Sequence, residues 1–333
     1  MKYIKFILSI ICAPIYIFIF KAFKVQSNKL SVHSLINSYI FSGGCINSAY
    51  DFFLRKHARF SKKSISKHVD DLDYEFISKQ INKNGYFIIK NFISQDMVNQ
   101  LNLDIAKMNG KYVSDNTVRS YSEKFDLSNP QGARFNYLAE DLLSSRVIQD
   151  IIFNQKIIEI AKVYLRAIPI LDIINLWWST PTKNPDKEAA QWWHFDMDRT
   201  NWLKFFVYFT DCDSNSGPHQ FIEGSHKNFG IPWKLRKKGY VRLSDEDIRL
   251  NFNANKVKTF TANSGTLLIE NTRGLHRGQH LKKNSRLLLQ VEFTTNLFGG
   301  HFDKYSIKRS SMKNKFIKTL NENQFTYQNF EIK

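Results

Sequence analysis

His194 and Asp196 stand two residues apart in Gln191-Trp192-Trp193-His194-Phe195-Asp196. In an extended segment, residues so spaced point the same way, so both can face a barrel interior while Phe195 turns outward. One neutral imidazole and one carboxylate on a common face make two-thirds of a facial metal site. The third donor must come from a distant strand, and His276, in GTLLIENTRGLHRGQH, follows a strongly apolar one. Two histidines and a carboxylate on one face leave up to three open positions on an octahedral ion, which suits Fe(II) oxygen chemistry. Zinc with the same His2Asp donors is the chemical alternative, since it needs only one open position.

Arg286 separates these readings. It lies ten positions after His276 and opens the next strand, RLLLQVEF. A guanidinium carried into an apolar interior requires an anion, and its planar fork matches a carboxylate. A dicarboxylate cosubstrate meets that need; a hydrolytic zinc site has no general use for it. A lone His-x-Asp occurs by chance in many chains, so the case rests on order and spacing taken together. His219, His226, His280 and His301 read as surface or loop histidines. His280 is the rival third donor, but it leaves little room for a turn before Arg286. Trp192 and Trp193 read as pocket wall or core.

The elements that must position these residues fall into two groups. From Leu72, YEFISKQINKNGYFIIKNFISQDMVNQLNLDI reads as helix, turn, strand and helix. Asn84-Gly85 ends the first helix and Ser94 caps the second. Lys111 to Asn136 is polar and irregular, a loop suited to covering a site. Asp141 to Ala167 reads as helix, stopped by Pro169. Beyond it LDIINLWW, KFFVYFTDC, KVKTFTA, GTLLIEN and RLLLQVEFTTNLF are short β-branched and aromatic runs. Strands without alternating helices, preceded by helices, indicate a mainly β antiparallel barrel or jelly roll, cupin-like, with N-terminal helices at its flank.

The 333-residue chain divides into an apolar and basic extension over residues 1–70, a barrel domain over 71–300 and a basic tail over 301–333. At 43% hydrophobic and 23% charged, it is neither disordered nor a disulfide scaffold. Cys12, Cys45 and Cys212 follow no metal or disulfide spacing, which favours a reducing, cytoplasmic setting. The net charge of +18 attracts anions: a phosphorylated or CoA-linked substrate, or anionic lipid. No nucleic-acid motif accompanies it, and no such partner is expected. Residues 1–24 carry a short apolar run, broken by Pro14, between Lys2, Lys5 and Lys21. That pattern fits an interfacial membrane anchor, and equally a helix packed on its own domain.

Three blocks then carry a resemblance. GYFIIKNFISQDMVNQL, QWWHFD with SGPHQFIEGSHK, and GTLLIENTRGLH followed by Arg286 together resemble the phytanoyl-CoA dioxygenase family of iron and 2-oxoglutarate oxygenases. The likeness runs from about Tyr74 to Phe298 and leaves the ends outside. It implies a double-stranded β-helix, with Fe(II) held by His194, Asp196 and His276. It implies 2-oxoglutarate bound through its C1 carboxylate and keto oxygen, its far carboxylate on Arg286, and O2 as the oxidant. Asn175 and Thr180 are expected to supply further cosubstrate contacts. Halogenating relatives lack the ligand carboxylate, so an intact Asp196 implies hydroxylation of a small-molecule or lipid-linked substrate, with succinate and CO2 released. Phe195 stands where Gln is frequent, Ser216 where Asn is usual, Glu223 where Pro is usual, and Gly278 where many relatives place a hydroxyl. These changes spare the triad and leave the substrate pocket unassigned. Two other readings stay open: a non-redox His2Asp metalloenzyme, and a membrane-surface binding protein that keeps the barrel without turnover.

Overall fold

The longest strands bury both faces, and each face meets a different partner. The computed structural model describes residues 14–18, 29–57, 72–114, 117–118, 122–187 and 189–333. Its main sheet is antiparallel and eight-stranded, in the order β1-β9-β6-β11-β5-β4-β2-β3. These are β1 (Tyr86–Ile89), β2 (Gly110–Ser114), β3 (Thr117–Val118), β4 (Arg134–Tyr137), β5 (Ile170–Ser179), β6 (Trp202–Tyr208), β9 (Leu267–Glu270) and β11 (Arg286–Thr294). A smaller antiparallel sheet, β10-β7-β8, is built from β7 (His219–Ile222), β8 (Val257–Phe260) and β10 (His276–Gly278). The backbone at His194 extends it by pairing with His276. Two facing antiparallel sheets of this order form a double-stranded β-helix.

Strand periodicity of two sorts the side chains. On one face of the main sheet, Leu203, Phe205 and Val207 of β6 and Leu287, Leu289, Val291 and Phe293 of β11 join a single apolar cluster. Helices α3 (Tyr74–Asn84), α4 (Gln95–Ile105), α6 (Arg146–Ile152) and α7 (Gln155–Leu165) cover it, through residues such as Ile81, Leu101, Ile148 and Ile160. Each such side chain contributes about 1.5–3 kcal/mol by leaving water, so this layer carries much of the stability. The opposite face turns Trp177, Phe206, Tyr208, Leu268 and Leu288 toward Phe221 and Phe260 of the smaller sheet. The site lies between the sheets.

The helix-strand-helix entry follows its sequence. Asp73 accepts from the Phe76 amide at 2.9 Å at the start of α3, and Ser94 accepts from the Met97 amide at 3.3 Å at the start of α4. Gly85 ends α3 at φ 100°, where a Cβ would also meet the Phe221 ring at 2.4 Å.

Three expectations need correction. Asp141 to Ala167 is not one helix but α5 (Ala139–Leu142), α6 and α7. The breaks fall at Ser144-Ser145 and at Phe153-Asn154, where the Asn154 side chain accepts from the Lys156 amide at 2.9 Å and starts a new helix. Lys111 to Asn136 is not wholly irregular: β2 and β4 pair at the sheet edge and bury Tyr112 and Phe135. Residues 301–333 are no loose tail. They form β12 (Tyr305–Ile307), α8 (Asn314–Glu322) and β13 (Phe330–Ile332), and add Tyr305, Phe316, Tyr327 and Phe330 to the main core.

N-terminal helices α1 (Lys29–Ser42) and α2 (Cys45–Leu54) also pack on the barrel. The Tyr39 ring lies 5.1 Å from that of Phe195, and buried Asp51 accepts from Thr295 and Asn201. Apart from residues 14–18, which are helical, the apolar run of residues 1–24 lies outside the described residues. Among those described, no helix is long and apolar enough to cross a membrane.

Candidate metal centre and its cavity

The two histidines are brought together by backbone pairing. The His194 amide donates to the His276 carbonyl at 3.0 Å and the His276 amide to the His194 carbonyl at 2.8 Å. A cross-strand pair places its side chains on one face, and the imidazole centroids stand 4.2 Å apart. Two residues on, the Asp196 amide is held by the Thr272 carbonyl at 2.9 Å. Its Oδ1 lies 3.8 Å from His194 Nε2 and its Oδ2 lies 3.4 Å from His276 Nε2. One ligand atom from each residue falls within 4.8 Å of the others. Adjacent donors on an ion with ~2.1 Å bonds sit about 3 Å apart, so a small contraction closes the set.

The outer nitrogens fix which ring atom faces inward. His194 Nδ1 is 2.8 Å from the Trp192 carbonyl and His276 Nδ1 is 2.9 Å from that of Gly274. A carbonyl only accepts, so Nδ1 carries the hydrogen in each ring and Nε2 offers its lone pair inward. Burial, and then the neighbouring His276, hold His194 well below the usual imidazole range, in the neutral form a ligand requires. For Asp196, burial opposes ionisation, but Lys204 and then His276 outweigh it and hold the carboxyl well below the usual carboxylate range. His276 is buried too, yet the anionic Asp196 raises it. A divalent cation would replace that proton.

Lys204 on β6 was not legible as part of this site. Its Nζ donates to Asp196 Oδ2 at 2.7 Å and also meets Asp198 at 2.8 Å and Glu292 at 3.4 Å. Farther along, Arg199 grips Asp172 with two bonds of 2.6 and 2.9 Å. Glu292 is pushed well above the usual carboxylate range by burial and then by Asp198, so this cluster carries fewer charges than its formula suggests.

Across the cavity, Arg286 opens β11 opposite Ser179. Its Nη1 donates to the Gly217 carbonyl and its Nη2 to Ser179 Oγ at 3.4 Å, while buried Nε has no partner. Among the described residues no carboxylate lies within ion-pair distance of it. Gly278 leaves the space in front open, since a Cβ there would stand 3.1 Å from Nη2. Donors and guanidinium share one cavity of about 150 Å³, walled by Trp177, Phe206, Leu288 and Gln290.

Of the other expected contacts, Asn175 lies on β5, on the same face as Trp177 and Ser179, with Gln290 opposite. Thr180 gives its hydroxyl to the Gly132 carbonyl. Neither lines the cavity. His280 stays apart from the donors, 3.3 Å from the Thr182 hydroxyl, and His301 is exposed. His219 and His226 correct the expectation of surface histidines. His226 is buried beside the Asn82 carbonyl at 3.1 Å. His219 lines the cavity, stacks on His276 with centroids 5.5 Å apart, and lies 3.0 Å from Glu270. Arg134 also lines the cavity, 4.2 Å over the Trp177 ring. Lys204, Glu270 and Glu292 interrupt otherwise apolar strands at the same parity as Phe206, Leu268 and Leu288, and that parity is the signal that marks them as inward.

Comparison with known proteins identifies the family. The family model described as phytanoyl-CoA dioxygenase (PhyH) matches residues 81–280, more than half of the chain. No curated relative matches. Among solved structures, the chain is similar to EvdO2 from Micromonospora carbonacea var. aurantiaca, at 14% identity and TM-score 0.47, covering 68% of this chain and 93% of that one. It is similar to HygX from Streptomyces hygroscopicus, solved with nickel and 2-oxoglutarate, at 14% identity and TM-score 0.44, covering 72% and 92%. It is also similar to the α-ketoglutarate-dependent epimerase SnoN from nogalamycin biosynthesis, at 13% identity and TM-score 0.46, covering 66% and 82%. On the family match, this chain belongs to the phytanoyl-CoA dioxygenase family and is an enzyme of the iron and 2-oxoglutarate type.

Proposed function

We propose that the protein hydroxylates a small organic molecule, with His194, Asp196 and His276 holding Fe(II) and Arg286 binding the far carboxylate of 2-oxoglutarate. The observation that carries this reading is the pairing, in one cavity, of three convergent donors with a buried guanidinium that has no carboxylate partner among the described residues. Iron with its cosubstrate, when bound, supplies the activation of O2 and the oxidising power.

The chain's own residues orient and shield that chemistry. The Trp192 and Gly274 carbonyls lock both imidazoles with Nε2 inward. Lys204 engages Asp196 Oδ2, which leaves Oδ1 for the ion. Arg286 offers a fork whose geometry suits a carboxylate, and Gly278 keeps its approach clear. Trp177, Phe206 and Leu288 exclude water from the reacting centre. Asn175, opposite Gln290 but itself outside the cavity, takes no part in this reading, and Thr180 acts by holding the backbone at Gly132.

The test is succinate release from 2-oxoglutarate with Fe(II) and O2. The parent should release succinate and Asp196→Ala should not. Turnover of an organic substrate that persists without any keto acid would point instead to a non-redox metalloenzyme.

A further inference from the structure

We propose that residues 224–244 and the end of α1 form a docking face for an anionic lipid bilayer. This goes beyond the oxygenase reading, and its test does not depend on turnover.

The segment from Gly224 to Ser244 contains no acid, and it holds Lys227, Lys234, Arg236, Lys237, Lys238 and Arg242. Helix α1 beside it has none either. Three acids follow in Asp245–Asn251, each beside a cation: Asp245 with Arg277 at 2.9 Å, Asp247 with Lys238, and exposed Glu246 with Arg249 at 3.9 Å. Lys227, Lys234 and Lys237 are exposed.

Large apolar side chains project from the same place. Phe41 is 60% exposed, Phe229 61% and Trp233 52%. They are brought together by definite contacts. The Phe229 amide donates to the Gly43 carbonyl at 2.8 Å. Buried Arg236 donates to the Ile40 carbonyl and lies 5.8 Å from the Phe229 ring and 5.4 Å from that of Trp233. Beneath them Tyr39, Ile231, Leu235 and Leu243 form a buried cluster. Scattered exposed apolar residues are ordinary on a surface; a fixed cluster of them inside an acid-free basic field is not. Aromatic rings at the headgroup level and lysines over anionic lipid are the two elements of an interfacial contact.

The face also adjoins the site. The Leu243 amide donates to the Trp193 carbonyl at 2.8 Å, and the Tyr240 ring lies 5.3 Å from that of Phe195. Docking therefore sets the segment carrying His194 and Asp196 directly behind the membrane contact.

The full chain is sedimented with vesicles of phosphatidylcholine alone and with added phosphatidylserine, while hydrogen exchange is followed over residues 227–241. The expected result is binding that requires the anionic lipid, weakens with salt, and protects that segment. Reversing Lys227, Lys234 and Lys237 to Glu should weaken it roughly a hundredfold, and Phe229→Ala with Trp233→Ala should weaken it further. The circular dichroism spectrum and urea midpoint of the reversed variant report whether it is folded. Binding with no protection of residues 227–241, or binding unchanged in the reversed variant, would overturn the proposal. So would capture of single-stranded RNA, insensitive to the aromatic changes, in place of vesicles.

Discussion

Lys204→Met exposes the electrostatic logic of the site most sharply. The ammonium touches three carboxylates, at 2.7 Å (Asp196), 2.8 Å (Asp198) and 3.4 Å (Glu292), and lies within a nearly dry interior. Methionine matches the volume of the lysine stem, so packing changes little and the loss is one of charge. Removing one partner of a buried ion pair costs about 3–5 kcal/mol, because the partner charge stays behind unpaired. Here Glu292 already favours its protonated form through burial, and proton uptake by the cluster limits the damage at low pH. With the folded pKa raised, stability is lost as pH rises, so the variant's penalty should grow with pH. A divalent cation at Asp196 restores positive charge and should recover part of the loss. Urea unfolding of parent and variant, with and without Co(II), measures each of these. A metal-free variant within 1 kcal/mol of the parent at neutral pH, by contrast with the ~3 kcal/mol expected, would refute the cluster's role.

Other outcomes follow from the same geometry. Arg286→Gln should weaken 2-oxoglutarate binding by roughly 2–4 kcal/mol, or about thirtyfold to a thousandfold, with metal affinity unchanged, as read by calorimetry with Co(II). Burial lowers His226 to about 4 in the folded protein. The unfolded imidazole takes its proton first as pH falls, so this group's stabilisation is full above about pH 6.5 and is lost towards pH 4, by about 3 kcal/mol in all. His226→Gln should therefore flatten the acid side of the stability profile, whereas an unchanged slope would place the titration elsewhere. Gly85→Ala forces a Cβ to 2.4 Å from Phe221 at φ 100°, and should cost more than about 1 kcal/mol in chemical unfolding.

What the sequence made legible was local or periodic. The Ser94 cap, the Gly85 stop and the apolar strands around Phe205 and Leu289 depend on neighbours in the chain, and each appears where its pattern places it. The convergence of His194, Asp196 and His276 was readable because a spacing of two fixes side-chain direction and the family pattern supplies the distant partner. Lys204, Glu270 and Glu292 were missed because their meaning is cross-strand: Lys204 stands opposite Glu270 on one neighbour and Glu292 on the other. No window along the chain contains that register. His219 was misread for a related reason, since its loop-like context, SGPH, hides a strand start that turns inward beside His276. The basic character of residues 301–333 masked Tyr305, Phe316 and Phe330, whose wide spacing gives no continuous apolar run.

Anaerobic titration with Fe(II) tests the central claim most directly, because it asks whether three side chains make one site before any turnover is considered. One ion should bind per chain in the parent and in His280→Ala, and binding should be lost in Asp196→Ala and His276→Ala. Binding that survives both of those changes, or that disappears with His280, would contradict the assignment.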